Sequence, residues 1–220
     1  MPGWAGALRQ PADPFLRLRP DRAAAVRRRL GAGWAASGRR CGPAAGRGAQ
    51  IPALATNTMH QVYAQIAAAV SIPFPHIADA TGAAVSAAGL SRVGLLGTRF
   101  TMERGFYRDR LEATRHLQVL VPAEADRALV HRVIYDELVQ GVISDASRRH
   151  YLEIIGRLAE AGAEGVIAGC TEIELLVTAD DAELPYFPAT QLHAKAAVGL
   201  ALARHADLPF RRGVRDQASD

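Results

Sequence analysis

The stretch RVGLLGTRFTMERGFYRDRLEATRHLQVLVP, residues 92–122, decides the fold. Its opening, RVGLLGT at 92–98, is a short apolar run ending in glycine and threonine, the pattern of a buried strand entering a loop. MERGFYRDRLEATR at 102–115 has the spacing of a helix. LQVLVP at 117–122 is apolar again, and Pro122 closes it. A strand, a helix and a second strand in about thirty residues make one βαβ unit, which requires parallel pairing.

Downstream the alternation continues. ADRALVHRVIYDELVQG at 125–141 predicts a helix. SRRHYLEIIGRLAEAG at 147–162 predicts a long amphipathic one, with Leu152, Ile155, Leu158 and Ala159 on its apolar face. EGVIAGC at 164–170 predicts a further strand, TEIELLV a short helix, and QLHAKAAVGLALARH at 191–205 the last helix. Upstream, IPALATNT at 51–58 reads as a buried strand running into a loop, and MHQVYAQIAAAV at 59–70 as a helix broken by Ser71–Pro75. HIADATGAAVSAAGL at 76–90 is another helix. The fold class is α/β with a mainly parallel sheet.

The first fifty residues differ from the rest. They hold ten arginines, eight glycines and five prolines, and Val26 is their only β-branched residue. They offer little apolar surface against the entropy of ordering. A disordered basic tail, an organelle transit peptide and a mistranslated stretch of a GC-rich gene are the competing readings. The last is preferred, because clear patterning resumes abruptly at Ile51. Of the whole-chain net charge of +4, this segment contributes +8 and residues 51–220 contribute −4. The basic balance therefore gives no reason to expect nucleic acid. No apolar run reaches the ~18 residues of a membrane span. Two cysteines, Cys41 and Cys170, make no disulfide framework and no zinc motif.

In parallel sheets, ligands sit beyond the carboxyl ends of the strands. Three predicted strand ends carry small polar residues: Thr56-Asn57-Thr58, Gly97-Thr98 with Thr101, and Gly169-Cys170-Thr171-Glu172. Each enters a helix whose free N–H groups suit a small anion such as a carboxylate. Cys170 at such a start is expected to have its thiol pKa lowered from ~8.5 toward neutrality; the competing reading is an inert buried cysteine. Thr56 and Thr58 could equally be loop caps, and Glu172 a first-turn acid complementing the helix dipole. His60, His76 and His193 read as satisfied structural histidines rather than metal ligands.

Taken together, these strings resemble the aspartate/glutamate racemase family, the amino-acid racemases that work without pyridoxal phosphate. ATNTMH at 55–60 is similar to the family's first catalytic motif, VGLLGTRFTMERGFYRDRL at 93–111 to the opening of its second lobe, ELVQGVISDAS at 137–147 to a further segment, and GVIAGCTEI at 165–173 to its second catalytic motif. The resemblance covers 51–205. It implies two pseudo-symmetric parallel-sheet lobes with the site in the cleft between them. Residues 51–91 plus 184–205 would belong to the first lobe, 92–183 to the second, and 206–220 to a tail.

The same resemblance implies Thr56 and Cys170 as the catalytic pair on opposite faces of the substrate Cα. Most members carry cysteine at the Thr56 position; some carry this Thr/Cys pair. It further implies that Asn57, Thr58, Thr98, Thr101 and Thr171 hold the substrate carboxylates and that Glu172 receives the α-ammonium. No metal or organic cofactor is implied. The partner is a small acidic amino acid, with no nucleic acid and no membrane; the family often forms dimers, which leaves the oligomeric state open between monomer and homodimer, and the implied location is cytoplasmic. The unlike pair also predicts unequal turnover of the two enantiomers. Other readings are hydantoin racemase, maleate isomerase, arylmalonate decarboxylase, or a catalytically impaired binding relative. The glycine-rich strand and loop that open the family's first lobe are not found, and Pro188 stands where an aspartate is frequent. The first lobe is therefore expected to be incomplete, and the chain less stable and less active than a complete member.

Overall fold

A computed structural model describes residues 51–206. The expectations for residues 1–50, and for the tail past Ala206, lie outside the described residues. The described part is α/β, built on one four-stranded parallel sheet.

A 3-10 turn, Thr58–Val62, opens the described helices, followed by α1 (Tyr63–Ala67) and α2 (Ile77–Ala87). Then come β1 (Arg92–Gly97), α3 (Arg99–Glu103), α4 (Gly105–Arg115) and β2 (Gln118–Leu120). The chain continues through α5 (Glu124–Asp136), α6 (Asp145–Glu160), β3 (Gly165–Gly169) and α7 (Ile173–Leu176), and ends in β4 (Tyr186–Pro188) and α8 (Ala189–Ala206). The strand order is β2-β1-β3-β4. Among the described residues, no helix is long and apolar enough to cross a membrane.

The two central strands are covered on both faces, which is why they read as near-continuous apolar runs. Their side chains alternate between two cores. Val93 and Leu95 of β1 and Ile167 of β3 meet Ile77, Val85, Tyr107 and Leu111 from α2 and α4. Leu96 of β1 and Val166 and Ala168 of β3 meet Val130, Ile134, Tyr151, Ile154 and Leu158 from α5 and α6. Gly94 lets Leu158 pack directly on β1: a Cβ there would lie 2.8 Å from Leu158 Cδ1.

Four local readings change. No strand forms at 51–56; a strand needs a neighbour for its N–H and C=O groups, and none pairs there among the described residues. The helix expected at 102–115 is two helices, because Arg104 takes an extended conformation (φ −96°, ψ 144°) between α3 and α4. The buried face of α6 is Tyr151, Ile154, Ile155 and Leu158, with Leu152 only partly buried. Tyr151 can turn inward because its hydroxyl donates to the Val130 carbonyl at 3.0 Å. Finally, Tyr186–Pro188, for which the sequence predicts no strand, adds β4 to the open side of β3. Pro188, with no N–H to give, is tolerated there because β4 is an edge strand.

Candidate active site

The strand order reverses direction between β1 and β3, and the crevice of such a sheet lies beyond the carboxyl ends of those two strands. Gly97 and Gly169 are the paired last residues of β1 and β3. Thr98 follows one and Cys170 the other. Two of the sequence's polar strand ends are thereby brought side by side.

The two glycines allow a tight junction. A Cβ on Gly97 would sit 2.9 Å from the Gly169 carbonyl oxygen and 3.0 Å from Thr101 Cβ. A Cβ on Gly169 would sit 2.8 Å from the Leu96 carbonyl oxygen. Thr101 uses the space, and is fully buried above both strand ends.

Thr98 caps α3. Its hydroxyl accepts from the Thr101 N–H at 3.4 Å and lies 3.3 Å from the Thr101 hydroxyl. It also lies 3.1 Å from the Thr58 hydroxyl, forty positions earlier in the chain. This hydroxyl chain ties the 56–58 loop to the end of β1. A second tie runs from the Arg104 guanidinium to Gln61 Oε1 at 2.6 Å.

Asn57 stands next to Thr58 and is 4% exposed, yet neither its Oδ1 nor its Nδ2 has a partner among the described residues. Leaving a buried amide unpaired costs about 1–3 kcal/mol, so Asn57 calls for a partner that the described residues do not supply. Thr56 is half-buried, and its N–H bonds the Leu54 carbonyl at 2.8 Å.

At the end of β3, the Cys170 thiol donates to Glu172 Oε2 at 2.8 Å. The thiol is not activated as the sequence position suggested. Burial pushes its pKa well above the usual value, and the Glu172 carboxylate pushes it further. The Thr171 and Glu172 backbone N–H groups pull the other way, as expected at a helix start, but they are outweighed. The helix that follows, α7, has four residues and little dipole to add. Thr171 is half-buried at the same turn.

His60, His76 and His193 are buried and bonded to backbone. His60 Nδ1 donates to the Thr56 carbonyl at 2.8 Å, and His60 Nε2 accepts the Ile77 N–H at 3.1 Å. His76 Nδ1 accepts the Ala78 N–H and caps α2, and His193 Nε2 donates to the Pro75 carbonyl. Among the described residues, no group of three His, Cys, Asp or Glu side chains could hold a metal ion. Sequence reasoning did not single out Glu174, which accepts the Thr190 N–H at 2.8 Å and so fixes the start of α8. Nothing in the local pattern marks that contact, because it joins two separate helices.

Comparison with known proteins agrees with this fold. The family model described as Asp/Glu/Hydantoin racemase matches residues 8–197. That match begins inside the segment set apart by composition. The chain is similar to the crystal structure of a candidate Asp/Glu racemase from Yersinia pestis, with 44% identity and a TM-score of 0.72, over 79% of this chain and 77% of that one. An aspartate racemase homologue from Pyrococcus horikoshii OT3 matches with 31% identity and a TM-score of 0.69, over 77% and 76% of the two chains. A protein of Pectobacterium carotovorum known as the uncharacterized protein in the pnlA 3′ region is 34% identical over 124 residues, 56% of this chain and 81% of its own.

Proposed function

The chain belongs to the Asp/Glu/hydantoin racemase family, and from that premise we propose that it interconverts L- and D-aspartate or glutamate by moving the α-proton without a cofactor. The observation that carries this reading is Asn57: a buried, unpartnered amide beside the Thr58–Thr98 hydroxyl pair, where the ends of β1 and β3 meet.

In this reading Asn57, Thr58, Thr98 and Thr171 hold the substrate carboxylates through hydroxyl, amide and backbone donors. Thr101 is fully buried and acts through Thr98. The same donors stabilise the enediolate that forms as the α-proton leaves. Glu172 receives the α-ammonium. Its charge is then offset, and the like-charge penalty on a neighbouring thiolate falls. Cys170 loses its proton to solvent and takes the α-proton, becoming a thiol again. Thr56 delivers its hydroxyl proton to the opposite face of Cα and regains one from solvent. Charge and protons balance, and the product is the other enantiomer.

A second reading is a catalytically impaired relative. It is favoured by the raised thiol pKa and by threonine at position 56, a far weaker base than a thiolate. One experiment separates the two. The protein is incubated with L-aspartate, then L-glutamate, in D2O without cofactor, and the Cα–H signal is followed. Loss of that signal, abolished by Cys170→Ala, supports the racemase. No loss with either amino acid overturns it.

A further inference from the structure

The 56–58 loop has no regular structure to hold it up to Asn57, and its neighbour in the chain is a 3-10 turn. Beside short-range backbone bonds, the side chain that reaches its backbone is an imidazole. The His60 ring spans the Thr56 carbonyl and the Ile77 N–H, with one ring nitrogen on each. One neutral tautomer, Nδ1–H with a bare Nε2, satisfies both bonds at once. The ring is 2% exposed. It is wedged between His76 at 4.5 Å and His193 at 5.5 Å between ring centres, and those rings are themselves tied to α2 and to the Pro75 carbonyl. Ile77, Ala78 and Val85 anchor α2 in the core. His60 therefore refers the height of the Thr56 backbone to the core of the domain.

We propose that His60 is a positioning residue: by fixing the Thr56 carbonyl against the first turn of α2, it holds the Thr56 hydroxyl opposite the Cys170 thiol. This rests on the racemase reading. It assigns His60 to one face of the reaction only. Cys170 hangs from β3, which the strand pairing holds in place independently of the loop.

The test compares His60→Gln with His60→Asn, reading exchange and inversion separately in D2O with L-aspartate and L-glutamate. An asparagine amide sits near the Nδ1 position and still donates to the Thr56 carbonyl. A glutamine reaches toward the Ile77 N–H instead and leaves that carbonyl unheld. Expected for His60→Gln is Cα–H exchange within about twofold of wild type, with inversion down roughly 10–100-fold, the effect of misplacing one reacting group by an ångström or less. His60→Asn should keep most of the inversion. Exchange and inversion falling together in His60→Gln, or neither falling, overturns the assignment, since a merely structural histidine would move both or neither.

The backbone amide resonances of Thr56, Asn57 and Thr58 in 15N-labelled protein give a readout independent of turnover. They should shift in His60→Gln and stay near wild type in His60→Asn; equal spectra overturn the proposal. If wild type neither exchanges nor inverts either amino acid, the racemase reading fails, and these resonances still decide whether His60 sets the loop.

Discussion

The Cys170 sulfur and the Glu172 carboxylate share one hydrogen at a separation of 2.8 Å, with the thiol as donor. A carboxylate so close opposes a thiolate by like charge, and burial opposes it as well. The resting protein therefore holds Cys170 in its thiol form.

Alkylation of Cys170 by iodoacetamide at neutral pH is accordingly expected to be slow. Glu172→Gln removes the like charge that opposes the thiolate and should speed it. The rate is read by mass spectrometry of the Cys170 peptide, because the chain has a second cysteine, Cys41. An unchanged rate in Glu172→Gln would show that burial alone holds the thiol protonated.

The unlike pair of Thr56 and Cys170 has a consequence for the two enantiomers. L- and D-amino acids have equal free energy in water, so kcat/KM must be the same in the two directions, whichever groups move the proton. The inequality expected from the sequence cannot appear there. It appears as exchange without inversion. Thr56→Ala should keep Cα–H exchange with the enantiomer that faces Cys170 and lose inversion by roughly 10²-fold or more, the share of one general acid. Chiral chromatography beside proton NMR measures both. Loss of exchange in step with inversion would argue against the assigned roles.

The glycine pair at the strand ends is expected to be intolerant. Gly97→Ala puts a methyl group 2.9 Å from the Gly169 carbonyl oxygen, which is backbone and cannot swing away. Overpacking of this kind costs about 1–3 kcal/mol, read from the shift of a urea midpoint. Thr101, whose Cβ is the other obstacle, would be pushed off Thr98, so exchange activity should fall as well.

Acid should unfold the protein through its histidines. Burial holds the pKa of His60 down at about 4 and that of His76 at about 3, below the ordinary 6.5. Around them stand His193, Arg110 and Asp79. Both groups are neutral when folded and bind a proton more readily when unfolded. Their contribution to stability is thus complete above pH 6.5 and declines as the pH falls toward the folded values. For His60 alone the loss by pH 4 is roughly 3 kcal/mol. The structural reason is direct: His60 Nε2 and His76 Nδ1 accept backbone N–H bonds and cannot do so once protonated. Denaturant melts from pH 7 to pH 4 should show this slope, reduced in His60→Asn. A flat profile would contradict it.

The sequence by itself determined the fold class and most of the helices and strands. Those features are local: the runs at 92–97 and 165–169 are apolar because both faces of a parallel strand are covered. It also named the polar ends of β1 and β3, since small polar residues after an apolar run are visible in any order of strands. The tertiary structure decided what depends on neighbours distant in the chain. Whether 51–56 forms a strand depends on a pairing partner, not on its own residues. Whether three residues ending in Pro188 join a sheet depends on β3 leaving an open edge. The direction of the Cys170 pKa depends on the balance between two backbone N–H groups and one carboxylate in a buried place, and sequence position gives the groups but not the distance or the burial. His60 could be read as a buried, satisfied histidine, but only the folded chain gives it the Thr56 carbonyl on one side and the Ile77 N–H on the other.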